Sequence, residues 1–157
     1  MEYSNEYTKE FSDEYFGNVK GLDNLYADGS MPNGYTQKGD FVINAKGQNI
    51  GGVTVYNGIG KGSNVFMFKA SFTSMEHLYL NMGHEYIHVY FNATGTNGNL
   101  VSQERVAYKW NINQAKTWNM DYSHYQNMYN HYLGKEAARY TYALPVGFLD
   151  IRPKRPW

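Results

Sequence analysis

The chain of 157 residues contains no cysteine. Disulfide stapling is therefore excluded, although compartment is not, since many exported bacterial proteins also lack cysteine. No apolar run approaches the roughly 20 residues needed to cross a bilayer as a helix. The N-terminus lacks the basic and apolar regions of a signal peptide. If the protein leaves its cell, the expectation is delivery as part of a larger carrier protein or through a segment that is removed. Charge of one sign is also missing, because 14 Lys and Arg balance 14 Asp and Glu. With no basic stripe, nucleic acid is not an expected partner. No long polar linker interrupts the chain, so residues 1–157 read as one domain, large enough for a two-layer core.

Against these absences stands the run His84-Glu85-Tyr86-Ile87-His88, inside a segment that reads as helix. Residues four apart on a helix lie on one face, about 6 Å apart along the axis, so two imidazoles can converge on one ion. Glu85 is rotated about 100° from His84, placed to reach a water on that ion rather than to join the ligands. A carboxylate among Tyr79, Leu80, Met82, Ile87, Val89, Tyr90 and Phe91 is costly to bury without a counter-charge, and a divalent cation supplies one. Catalytic zinc sites typically use three protein ligands. Between His88 and Asp121 the chain offers a single imidazole or carboxylate, Glu104. Ser102 is a plausible N-cap, which places Glu104 in the first turn of a second helix, and the turn-rich segment 92–101 lets that helix fold back on the first. The expected ligands are His84, His88 and Glu104, holding one zinc ion per chain.

Two histidines of H-E-x-x-H with a glutamate on a later helix resemble the gluzincin arrangement of the zincin metallopeptidases. Phe91 and Thr94 stand where a metzincin needs glycine and histidine, and the aspartate-liganded variety would have to wait for Asp121. The resemblance covers about residues 73–111. It implies a zinc metallopeptidase in which Glu85 acts as general base on a zinc-bound water, with a peptide or protein substrate. The extension Glu104 to Tyr108 is similar to zincin-type domains at the C-termini of bacterial polymorphic toxins, including those on Rhs-type carriers. That likeness implies a secreted toxin or effector and a cognate immunity or inhibitor protein. Many gluzincins carry an aspartate four residues after the third ligand, where this chain has Tyr108, so Tyr108, Asn81 or Asn111 must orient the first histidine instead. An oxyanion donor is sought among His124, His131, Tyr122 and Tyr108, with His124 the first choice. His77, two turns before His84, is too distant to share its metal and reads as structural. The alternatives are a metal hydrolase of non-peptide amides, with the same ligands, and a catalytically inactive protein-binding module that retains the fold.

The fold expected is α+β, a small antiparallel sheet followed by the active-site helix and further helices, in the manner of a minimal zincin. The β-rich runs 41–44, 53–56 and 65–68 predict a meander, with the edge near 65–68 open to an extended peptide. Gly58-x-Gly60-x-Gly62 reads as a flexible turn rather than a phosphate loop. Thr73 to Glu76 is the expected capping box of the active-site helix, which should end near Asn92. Further helices are expected over 123–133, closed by Gly134, and over 135–143. At the N-terminus, Glu2-Tyr3, Glu6-Tyr7, Glu10-Phe11 and Glu14-Tyr15 recur every four residues, which predicts an amphipathic helix over 1–16, packed on its own domain or projecting as a docking arm. The basic, proline-rich 152–157 run reads as a solvated tail.

Overall fold

The computed structural model describes residues 1–95, 99–135 and 143–157. Its class is α+β. Helix α1 (Asn5–Tyr15) precedes six strands: β1 (Leu22–Tyr26), β2 (Thr36–Lys38), β3 (Phe41–Ile43), β4 (Asn49–Ile50), β5 (Gly52–Tyr56) and β6 (Ser63–Met67). A short 3-10 turn, Lys69–Thr73, leads into α2 (Met75–Ala93), α3 (Leu100–Thr117) and α4 (Ser123–Leu133).

The strands form two sheets rather than one meander. One has the order β1-β6-β5, with β1 parallel and β5 antiparallel to β6; the other is the antiparallel β2-β3-β4. The β5–β6 hairpin turns through the glycine-rich segment as expected, with Asn57 N–H donating to the Gly62 carbonyl at 2.9 Å. The 41–44 run does not join that hairpin. β3 pairs on both sides with short neighbours β2 and β4, and the third strand of the hairpin's sheet is β1, paired to the other side of β6. Because β6 lies between β1 and β5, its backbone is engaged on both sides, so the edges of this sheet are β1 and β5 and not the 65–68 segment.

α2 is buried around nearly its whole circumference, including Leu78, Leu80, Met82, Tyr86, Ile87 and Val89, the mark of a central helix rather than a surface one. β5 and β6 pack on it from one side and α3 from another. On β6 the period-two alternation buries Ser63, Val65 and Met67. The cap of α2 is displaced by one residue from expectation: the Ser74 hydroxyl, not Thr73, accepts from the His77 N–H at 3.1 Å and bonds His77 Nδ1 at 2.7 Å. His77 is thus an exposed capping residue. α3 likewise begins earlier than Ser102, because the Asn99 side chain accepts from the Ser102 N–H at 3.2 Å. Glu104 consequently sits in the second turn of α3. α4 ends at Gly134 as expected, whereas most of the 135–143 helix lies outside the described residues.

α1 buries Thr8, Phe11, Ser12 and Tyr15, an i, i+3, i+4, i+7 stripe, and its glutamates face solvent. The Ser12 and Tyr86 hydroxyls are hydrogen-bonded at 2.6 Å, tying α1 to α2. The C-terminus is no solvated tail. Arg152 exchanges two hydrogen bonds of 2.9 Å with Gln114 of α3 and donates to the Tyr15 carbonyl of α1 at 2.6 Å. Trp157 closes the strap by inserting among Phe11, Tyr15, Tyr79 and Trp118, with its ring centroid 5.3 to 6.0 Å from theirs.

A side chain at position 83 is forbidden by packing. A Cβ on Gly83 would stand 2.4 Å from the Trp110 ring, so α3 approaches α2 as closely as it does because that position is bare. Gly83→Ala is expected to cost about 1–3 kcal/mol through overpacking, read as a lower urea midpoint at unchanged slope. Trp157→Ala should cost roughly 2 kcal/mol, since the ring it removes is only partly buried; an unchanged midpoint would show that the strap adds nothing to the fold.

Candidate metal centre

Helix α2 carries His84 and His88 one turn apart, and α3, brought close at Gly83, presents Glu104 to both. His84 Nε2 lies 3.4 Å from one Glu104 oxygen and His88 Nε2 2.5 Å from the other. All three are buried, at 8, 5 and 9 % exposure. The three donor atoms lie within 4.8 Å of one another. Donors about 2.0–2.1 Å from a shared tetrahedral centre stand roughly 3.3 Å apart, so the set needs only small side-chain adjustments to hold an ion.

The remaining ring nitrogens are spoken for. Asn111 donates its Nδ2 to the Leu80 carbonyl at 2.9 Å, which turns its Oδ1 toward His84 Nδ1 at 2.7 Å. Gln103 Oε1 faces His88 Nδ1 at 2.9 Å. Both imidazoles therefore carry hydrogen on Nδ1 and turn Nε2 toward Glu104, the orientation in which a metal-binding histidine is usually held by its outer partner. Of the substitutes expected for the missing aspartate, Asn111 orients the first histidine. Asn81 instead donates to Ser71 at 2.8 Å, and Tyr108 meets His84 through its ring, 4.5 Å away edge to face. Gln103 was not anticipated: an uncharged amide beside Glu104 reads as ordinary helix filler, and only the pairing of the two helices gives it a partner.

Charge is strongly coupled here. Burial pushes His88 toward neutrality, but the Glu104 carboxylate and its hydrogen bond outweigh that, and the imidazole is held up at about 9. His84 is raised for the same reasons. Burial acts against ionised Glu104 too, yet the two histidines hold its carboxyl far below the usual range. The site thus holds a proton where a cation would bind.

Glu85, 8 % exposed, leaves α2 in a different direction, toward β5. Thr54 Oγ1 donates to its Oε1 at 2.9 Å and lies 3.1 Å from its main-chain carbonyl. A Cβ on Gly52 would come within 3.1 Å of Glu85 Cγ, and one on Gly51 within 2.7 Å of the Asn81 amide. The Gly51-Gly52 pair is the trace in the sequence of this close approach, and it passed unread.

His124 lies on the first turn of α4, exposed; burial of its ring and the His84 charge hold its pKa below the ordinary value. Tyr108 is raised well above the usual phenol range, first by burial and then by Glu104, so it stays a donor. Two further tyrosines feel the same carboxylates. Tyr35, in the loop before β2, is raised by burial, Glu85 and Glu104, and Tyr132 of α4 by burial and Glu104. Tyr122 is exposed beneath Lys116 Nζ at 5.0 Å, and His131 is exposed beside Tyr132.

No known protein family matches the chain, and neither does any curated protein or solved structure.

Because His88 keeps its proton up to about pH 9, an ion must displace it at neutral pH. Zinc binding to chelator-treated protein should release about one proton or more at pH 7, visible as a dependence of calorimetric enthalpy on the buffer's ionisation heat. The apparent affinity should climb as pH rises toward 9 and then level; a buffer-independent enthalpy would contradict the arrangement. Asn111→Leu should weaken zinc about 10–100-fold by freeing the His84 ring.

Proposed function

We propose that the protein is a zinc metallopeptidase of the zincin kind. The observation that carries this reading is the convergence of His84, His88 and Glu104 in one buried cluster with Glu85 beside it, held separately by β5. Two imidazoles and one carboxylate, with the remaining ring nitrogens anchored, are a donor set suited to zinc and leave a fourth position open. When bound, zinc supplies Lewis acidity, bringing the pKa of water toward neutrality and polarising a carbonyl.

The chain's own residues supply the rest. Glu85 takes the proton from the attacking water and returns it to the leaving amine. Glu104, as an anionic ligand, lowers the net charge of the centre, so the base matters more here than beside three neutral histidines. His124 and Tyr108 are the proposed donors to the developing oxyanion. β5 provides the substrate rail. Gly51 accepts from Phe68 and Asn57 donates to Gly62, so the odd-numbered positions of the hairpin bond to β6. By antiparallel alternation the N–H and C=O groups of Gly52, Thr54 and Tyr56 point to the open edge, where an extended peptide can pair. A toxin or effector role, with delivery by a carrier and restraint by an immunity protein, belongs to the same proposal and rests on the Glu104 to Tyr108 run.

Elemental mass spectrometry on purified protein should find one zinc per chain, lost or greatly weakened in Glu104→Ala. Glu85→Gln should keep its zinc and lose hydrolysis of a peptide library by several orders of magnitude, within the range general-base and positioning effects span together. Full activity in Glu85→Gln would remove the base assignment. A wild type that refuses supplied zinc would leave a binding module in place of the enzyme.

A further inference from the structure

Thr54 stands where the two halves of the centre meet. Its main chain lies on the open edge of β5, and its half-buried side chain reaches Glu85. A threonine hydroxyl has one hydrogen to give. Of its two acceptors on Glu85, the carboxylate Oε1 at 2.9 Å is nearer than the main-chain carbonyl at 3.1 Å. Among the described residues no other side chain holds the Glu85 carboxylate. The bare Gly52 is what lets the strand come near enough for this contact, because a Cβ there would crowd Glu85 Cγ at 3.1 Å.

A glutamate side chain has three rotatable bonds, and a base that wanders among rotamers spends little time within proton-transfer distance. Here one oxygen is occupied by the strand and the other, Oε2, is left for the proton. We propose that Thr54 is a positioning residue for Glu85, fixing the rotamer of the base from the same strand on which a peptide substrate would pair. Pairing at the Thr54 N–H and C=O stiffens the strand that orients the base, so a substrate able to add as a strand is processed faster than a short amide that cannot reach the edge. The kinetic consequence rests on the peptidase reading; the contact itself does not.

The test compares Thr54→Val, which keeps the β-branched shape and removes the hydroxyl, with Thr54→Ser, which keeps the hydroxyl. In zinc-loaded protein Thr54→Val is expected to hold zinc as the wild type does and to lose about 10–100-fold in kcat with KM within about twofold, the size of effect that a misplaced group produces. Thr54→Ser should recover most of the loss. A second readout needs no turnover: the Glu85 side-chain carboxyl carbon resonance, assigned by its absence in Glu85→Gln, should shift in Thr54→Val and stay near its wild-type position in Thr54→Ser. Wild-type kcat with an unmoved resonance in Thr54→Val overturns the proposal. So does equal loss in both variants, which would mean the strand needs threonine's shape and not its hydroxyl. If the wild type holds zinc and cleaves no peptide, the peptidase reading fails, and the resonance alone decides whether Thr54 holds Glu85. If Thr54→Val does not fold, Thr54→Ala against Thr54→Ser gives the same comparison.

Discussion

The burial of the Glu104 carboxylate against two imidazoles is the interaction on which the rest of the arrangement depends. A carboxylate at 9 % exposure is expensive unless its charge is met, and the nitrogens that meet it belong to a different helix. That requirement sets the register of α3 on α2. Glu104, Ala107 and Asn111 follow the i, i+3, i+7 spacing of one helix face, with the small Ala107 between the carboxylate and the amide that orients His84. The same contact needs Gly83 to be bare beneath Trp110. The Glu104 carboxylate, the orienting amide of Asn111 and the packing notch at Gly83 therefore depend on one docking geometry, and a slip of α3 by one residue would disturb all of them.

Consecutive residues of α2 serve two different neighbours. His84 points to α3 and Glu85 to β5, as the 100° turn between successive helix positions dictates. This explains why α2 is buried on almost every side: a helix whose successive polar side chains meet different partners must be flanked by both a helix and a strand. The aromatic strap formed by 152–157 acts at a distance from the centre. By tying α1 and α3 together through Arg152 and Trp157 it holds the helix that presents Glu104.

The site was legible where its chemistry is local. H-E-x-x-H needs only helix spacing, and Glu104 stood out because no other imidazole or carboxylate intervened before Asp121. Gln103 and Thr54 escaped because an uncharged amide and a hydroxyl are common in helices and strands and acquire their roles from partners 15 and 31 residues away. The α2 and α4 spans were readable from periodicity and caps, but the caps of α2 and α3 moved to Ser74 and Asn99, since several neighbouring side chains can serve and the better-placed one is chosen by the approach of the chain. β1 was missed because its Leu-Asp-Asn-Leu-Tyr run alternates poorly, and its parallel pairing with β6 is a long-range event.

By itself the sequence determined that two histidines and the glutamate between them share one helix of an α+β fold without cysteine, because helix pitch converts spacing into direction with no outside help. Only the tertiary structure decided which strands are the edges, which side chains aim the imidazoles, and what holds the Glu85 carboxylate. Those choices depend on contacts between segments far apart in the chain, where close packing and the need to satisfy buried polar groups select one partner from several chemically equivalent ones.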